Sequence, residues 1–331
     1  MRPSRTTARS PSLKTAASNS ATGFGTSYLS ASKPPPHRDG VGPSRVVLPQ
    51  GEWPTLLDFL VERFAHIGRE EWLMRMQNGD VLDDQGKALN AQAGYTPLQT
   101  IHYFRALHQE TPIPFQETVL FQNEHLVVVD KPHFLPVMPS GKYLQETVLV
   151  RLKKKLGLND LVPIHRIDRD TAGLVLFSSN PDTRDAYHAL FRDRKINKTY
   201  EAIAPWNPGL EWPQTRESRI EVSSHFMQQA EVPGIPNALT HITPIEILGT
   251  WALYQLQPVS GQRHQLRVHM AALGLPLLWD GMYPTLTTEG SSDFSKPLQL
   301  LAKSIAFTDP VSKKAMFFES HQRLIDLADL A

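Results

Sequence analysis

The side chains best placed to do chemistry crowd one short stretch, HRIDRDTAGLVLF at residues 165–177. His165, Arg166, Asp168 and Arg169 come first, Asp170 and Thr171 follow, and the chain then turns apolar. A carboxylate between two arginines, just ahead of a buried run, is kept ionised by its cationic neighbours. In that state Asp168 can act as nucleophile or base. The same spacing also describes a surface turn closed by a structural ion pair. His165 taken alone reads as a hydrogen-bonding structural residue, and Asp170 and Thr171 as turn caps.

A second cluster lies in SGQRHQLRVH, residues 260–269. Arg263 and Arg267 stand four apart, which puts them on one helix face. Ser260 is an expected N-cap, and the free N–H groups of the helix start would favour an anion such as phosphate. A solvated basic face has the same pattern. His264 and His269 are five apart, a spacing that suits no metal pair, so no metal is expected. Basic residues recur in RLKKKLG (151–157) and RDRKINKTY (192–200). The latter ends on Tyr200, an aromatic beside cations, as stacking on an unpaired base requires. A half-buried strand tyrosine looks the same.

Elements must hold these residues in place. HLVVVD (125–130) and TAGLVLFS (171–178) read as short buried strands, and KTYEAIAP (198–205) and WALYQLQPV (251–259) as alternating ones. NPDTRDAYHALFRD (180–193) reads as a helix with an Asn cap and Pro in its first turn. GQRHQLRVHMAALG places Leu266, Met270 and Leu273 on one face, with Gly274 as the stop. Strands and helices follow no strict alternation, so the expectation over residues 116–331 is α+β, with a mixed, largely antiparallel central sheet and flanking helices. Ahead of it, residues 53–107 predict a small helix–helix–hairpin unit: LLDFLVERF, then REEWLMRMQ ended by Asn78-Gly79, then a short strand and turn. A proline-bearing linker is expected near 108–115.

The chain has 331 residues and no cysteine, which excludes disulfides and thiolate chemistry. No apolar run reaches the ~18 residues of a membrane helix. The net charge of +1 is uneven. Residues 1–50 carry seven basic side chains against Asp39 alone, so the remainder is mildly acidic. Binding to nucleic acid would have to use local basic patches. Residues 1–48 are rich in Ser, Thr, Ala, Pro and Arg without hydrophobic period and read as a disordered basic tail. The same composition marks a mitochondrial transit peptide; without that role, the expected location is the cytoplasm.

Taken together, five segments resemble the RluA family of RNA pseudouridine synthases: DKPHFLPVMP (130–139), HRIDRDTAGLVL (165–176), KTY (198–200), GQRHQLRVHMAALGLPLLWDGMYP (261–284) and LQLLAKSIAFTDP (298–310). They occur in order and span most of residues 116–320. The unit at 53–107 resembles, more weakly, the family's small αL RNA-binding domain. Ala172, Gln262-Arg263, Trp279 and Leu301 depart from the family pattern. The resemblance implies isomerisation of a uridine in structured ribosomal or transfer RNA to its C-glycoside, with no cofactor and no metal. It assigns the catalytic carboxylate to Asp168, pairs Arg267 with it, and stacks Tyr200 on the uracil. Arg166, His165, Thr171, Gly173, Arg263, His264 and Leu300 become substrate-binding positions. Asp168 would attack C1′ or C6, or take a sugar proton, after the nucleotide has left its stack. A monomer is expected. Two rivals remain. A non-catalytic RNA-binding or assembly protein would have lost the Asp or the Tyr. A carboxylate hydrolase would need a second acid in the cleft, and Asp280, the one candidate, reads as a turn residue in WDGMYP.

Overall fold

The computed structural model describes residues 35–105, 110–286 and 294–330. Most of the expected basic tail therefore lies outside the described residues. Its last part does not: Ser44–Val47 is a strand, β1, and Leu48 behind it is fully buried. The expected disorder therefore does not hold for residues 44–48.

The small unit continues with α1 (Leu56–Arg63), α2 (Arg69–Gln77), β2 (Val81–Asp83) and β3 (Thr100–Tyr103). Thr55 caps α1 by accepting the Asp58 N–H at 3.1 Å. Gly79, at φ 71°, turns the chain after α2 in a conformation that costs a residue with Cβ. Leu56, Phe59 and Leu60 pack against Trp72, Met76, Val81 and Ile101. The expected strand and turn form after α2, with the Asp83 N–H on Lys87 O at 2.9 Å and the Leu89 N–H on Val81 O at 2.8 Å, but the sheet around them is larger than a hairpin. The sheet order is β1-β3-β2, so β2 pairs with β3 and the central strand is completed by β1. A local reading pairs neighbours in sequence and cannot see that closure.

The larger unit contains β4 (Thr118–Gln122), β5 (Leu126–Lys131), α3 (Val148–Leu156), β6 (Val162–Pro163), β7 (Ala172–Ser178), α4 (Arg184–Arg192), β8 (Ile196–Pro205), β9 (Gln214–Val222), β10 (Gln229–Val232), β11 (Ala238–Leu248), β12 (Trp251–Pro258), α5 (Gln265–Ala272), β13 (Leu300–Thr308) and β14 (Ala315–Glu319). One sheet runs β10-β9-β11-β12-β8-β13-β7-β5-β4, with β14 also on β13 and β6 on β7. Among the described pairs, β13–β7 is parallel and the rest are antiparallel. The expected α+β class with a mixed, mostly antiparallel sheet is what the chain adopts.

β5 and β7 are apolar at nearly every position because both their faces are covered. Val127, Val129, Val175 and Phe177 pack under Val148 and Leu152 of α3. Leu126, Val128, Leu174 and Leu176 pack against Tyr187 and Leu190 of α4. Over β8, β12 and β13, α5 sets Leu266 and Met270 onto Ala202, Leu256 and Leu300. Asn180 does not cap α4. Its Oδ1 accepts the Asp182 N–H in the preceding turn, and Thr183 is the N-cap without a side-chain bond. The expected linker is anchored from Glu110 on, whose carboxylate accepts the N–H groups of Leu144, Gln145 and Glu146.

Candidate active site

The charge-dense stretch is the loop that carries β6 into β7. Three braces fix it. His165 Nε2 accepts the Leu176 N–H at 3.1 Å, and its ring stacks on Phe191 at 4.5 Å. Burial, with the Lys198 charge, pushes His165 down to about 3, so it is neutral. Thr171 N–H closes the turn on Asp168 O at 3.2 Å. Beneath the loop, Lys131 is fully buried and donates to the carbonyls of Pro132 and Arg169, both at 2.9 Å.

The arginines beside Asp168 in sequence are not its partners. Arg169 is turned to Asp170 at 2.8 Å, and Arg166 is exposed, with Nη1 3.8 Å from Met138 Sδ. The supporting cation comes from α5: Arg267 Nη1 donates to Asp168 Oδ2 at 3.2 Å. Arg267 is itself 2% exposed and is gripped by Asp280, Nε to Oδ2 at 2.8 Å and Nη2 to Oδ1 at 2.5 Å. Burial opposes the charge on Asp168, but His264, Arg267 and Arg263 outweigh it and hold the carboxyl below its ordinary range. His264 is itself lowered by burial, so the arginines are the standing cations at neutral pH.

Arg263 and Arg267 do not share a helix face, because α5 begins at Gln265. Arg263 precedes it, is exposed, and donates Nη2 to Met227 O at 3.0 Å. Ser260 does not cap α5 either. Its Oγ accepts the Leu239 N–H and donates to Gln265 Oε1, both at 2.8 Å. The N-cap is His264, in left-handed backbone (φ 56°, ψ 17°) and without a side-chain cap bond. The sequence pattern ran the helix period through a turn.

Tyr200 reaches the same place from β8, opposite Leu256 and Ala302. Leu300 lies two positions from Ala302 on β13 and so faces the same side as Tyr200. Burial, reinforced by the Asp168 charge, raises the Tyr200 phenol above its ordinary pKa. Asp168, Tyr200, Arg267, Leu300, His165 and Thr171 all border one cleft of about 890 Å³, as do His264, Arg166 and Arg263. That is the scale of ligand-binding clefts, roughly 300–1,000 Å³. Gly173 does not border it. At φ 107°, its absent Cβ would stand 2.3 Å from Ala302 O, so Gly173 is what lets β7 lie against β13. Of the two basic segments, 192–198 supplies Arg192, Arg194 and Lys198 to the cleft. Burial lowers Lys198 to about 8 while its Nζ donates to Ser260 O at 3.0 Å. In the segment 151–155, Arg151 turns inward onto Phe115 O and Ile113 O and Lys153 lies against His37, while Lys154 and Lys155 are exposed, and none of them borders the cleft.

Among the described residues, Asp168 is the sole carboxylate bordering the cleft, and it is surrounded by cations at the mouth. Such a cleft binds phosphodiester and offers one ionised oxygen pair beside an aromatic ring. Asp280, fully buried and spent on Arg267 and on the Met282 and Tyr283 N–H groups, is no second acid for hydrolysis. No cluster of three or more His, Asp or Glu able to hold a metal ion occurs among the described residues.

A family model described as RNA pseudouridylate synthase matches residues 125–272, from β5 through α5. An uncharacterized RNA pseudouridine synthase of Synechocystis is 30% identical over 237 residues, covering 69% of this chain and 79% of that protein. The chain belongs to the RNA pseudouridine synthase family. Its members are isomerases that convert uridine in RNA to pseudouridine. Ribosomal large subunit pseudouridine synthase D of Zymomonas mobilis is 33% identical over 241 residues, 68% of this chain and 75% of that one. The solved structure of human RNA pseudouridylate synthase domain containing 1 shares the fold, with a TM-score of 0.52 and 19% identity over 67% of this chain and 96% of that chain. Sequence reasoning about this pseudouridine synthase missed Tyr283, which bonds to His264, and the grip of Asp280 on Arg267. The WDGMYP motif was the signal for both, read as a turn and no more.

Proposed function

We propose that this protein isomerises one or a few uridines in structured ribosomal or transfer RNA, with Asp168 as the catalytic carboxylate. The observation that carries the reading is the lone, Arg267-bound carboxylate in a cleft otherwise lined by cations, neutral polar and apolar groups and Tyr200. In the reaction the N1–C1′ bond breaks, the base turns, a C5–C1′ bond forms, and the C5 proton is lost while N1 gains one. Attack at C1′, attack at C6 and removal of a sugar proton each need Asp168 ionised, which its surroundings favour. Tyr200 and Leu300 flank the flipped uracil. Tyr200, a neutral phenol in the free protein, stacks on the uracil, and its hydroxyl is placed to help remove the C5 proton. Arg166, Arg192, Arg194 and Arg263 hold flanking phosphates and offset the few kcal/mol of unstacking. The protein acts as a monomer in the cytoplasm, or in mitochondria if residues 1–48 are a targeting segment.

Purified protein incubated with RNA tritiated at uridine C5 tests this. Tritium release by the wild type and none by Asp168→Asn is expected. Equal release by both would remove Asp168 from the chemistry.

A further inference from the structure

The side chain of His264 is turned away from solvent and toward the catalytic carboxylate, with Nε2 3.7 Å from Asp168 Oδ1. Its other nitrogen, Nδ1, lies 2.9 Å from Tyr283 Oη. Tyr283 Oη in turn accepts the backbone N–H of Gln229, at the start of β10, at 2.7 Å. These three groups determine where the imidazole proton sits. A backbone N–H can only donate, so the phenol oxygen is the acceptor at that end. The phenol has one proton, and among the described residues its remaining partner is His264 Nδ1. Were Nδ1 also to donate, the phenolic proton of a buried tyrosine would go unused, at the cost of an unsatisfied polar group. Nδ1 is therefore the acceptor, and the proton of the neutral ring is on Nε2, the nitrogen that faces Asp168.

We propose that His264 is a positioning residue for Asp168, presenting an Nε2–H to Oδ1 through a tautomer fixed by Tyr283 and Gln229. Asp168 Oδ2 is already bonded to Arg267 Nη1. A second donor on Oδ1 sets the plane of the carboxylate as well as its location. At 3.7 Å the contact is open in the free protein, and such contacts close when substrate fills the cleft. Two features fit this role. His264 holds a left-handed backbone conformation, uncommon outside glycine and concentrated at functional sites. As N-cap of α5 it also gives up the capping bond that residues at this position usually make. The charged groups around it are Asp168, Arg267, Arg263 and Asp280. Burial and the two arginines keep the ring neutral against the pull of the two carboxylates.

The inference rests on Asp168 being the catalytic carboxylate, and the test separates the two. Nitrogen-15 imidazole NMR of the free wild-type protein should show His264 Nδ1 unprotonated and Nε2 protonated, and Tyr283→Phe should mix the tautomers. Turnover is then measured as tritium release from C5-tritiated total RNA of cells lacking the protein. His264→Leu, which has no donor, should lower kcat about 10- to 100-fold with KM changed less than about threefold. His264→Gln, whose side-chain amide can reach the Nε2 position, should recover most of it. Leucine and glutamine meet the same backbone strain, so their difference reports the donor rather than the fold. An Nδ1-protonated ring, equal kcat for the Leu and Gln variants, or a change confined to KM would each overturn the proposal. Turnover that survives Asp168→Asn would overturn the reading of Asp168, and with it this role, even with the tautomer as stated.

Discussion

Asp280 grips Arg267 with both carboxylate oxygens and leaves the guanidinium one free corner, Nη1, which it gives to Asp168. The fixed pair is buried, and Arg267 also lies 5.3 Å over the Tyr283 ring. Asp280 thus orients the cation that serves Asp168, the carboxylate proposed to be catalytic. Breaking a buried pair from one side typically costs about 3–5 kcal/mol. Asp280→Asn should destabilise by an amount in that range and lower kcat as Arg267 loosens. Urea denaturation and tritium release check the two effects. A variant with wild-type stability and turnover would contradict the arrangement.

The pH dependence of catalysis follows from the depressed pKa of Asp168. In the proposed function the ionised form is the active one, so activity should be lost only as pH falls through a value below the ordinary ~3.9. The wild type should show no acid limb in kcat/KM between pH 5 and 8 from this group. In the double variant Arg267→Met, Asp280→Leu, which removes both members of the buried pair together, Asp168 loses its cation and burial acts on it with less opposition. Its residual activity should then fall on acidification at higher pH than in the wild type. A pH–rate profile of each decides it.

Stability should carry a signature of Lys131. Burial, partly offset by Asp170 and Asp168, lowers its pKa to about 7 from the 10.5 of a free lysine. The folded state binds fewer protons than the unfolded state between those values, so stability rises with pH across that window. The rise should be about 2 kcal/mol between pH 7 and 9. It should be missing in Lys131→Met, which also frees the carbonyls of Pro132 and Arg169. Urea melts of both proteins at each pH measure the difference.

Gly173→Ala tests the joint that aligns the Asp168 loop with Tyr200. An added Cβ meets the Ala302 backbone, and φ 107° is foreign to alanine. A loss above about 3 kcal/mol, or failure to fold, is expected. Thermal melting near the wild-type value would show that β7 and β13 can part without harm.

The strands around the site were legible because β5 and β7 are apolar on both faces and β8 and β12 alternate, signals contained within each segment. The site was legible in residue type, and its Arg267–Asp168 pair only through the family resemblance, not from the residues that flank Asp168. Arg166 and Arg169 flank Asp168 in the chain, yet the turn at Thr171 sends Arg166 outward and Arg169 to Asp170. The cation that serves Asp168 comes from α5, brought close by the packing of that helix on β8, β12 and β13. Arg263 looked like its helical neighbour because a period of 3.6 does not reveal where a helix starts. Only the left-handed His264 marks that point. The β1-β3-β2 sheet was missed for a similar reason: its central strand pairs with two segments distant in sequence.

The most direct test of the central claim is a pseudouridine map of total RNA from wild-type cells, cells lacking the protein, and the latter complemented with Asp168→Asn. One or a few sites should vanish in the absence of the protein and stay absent with Asp168→Asn, although the variant is present and folded. Restoration of those sites by Asp168→Asn would contradict the role of this carboxylate.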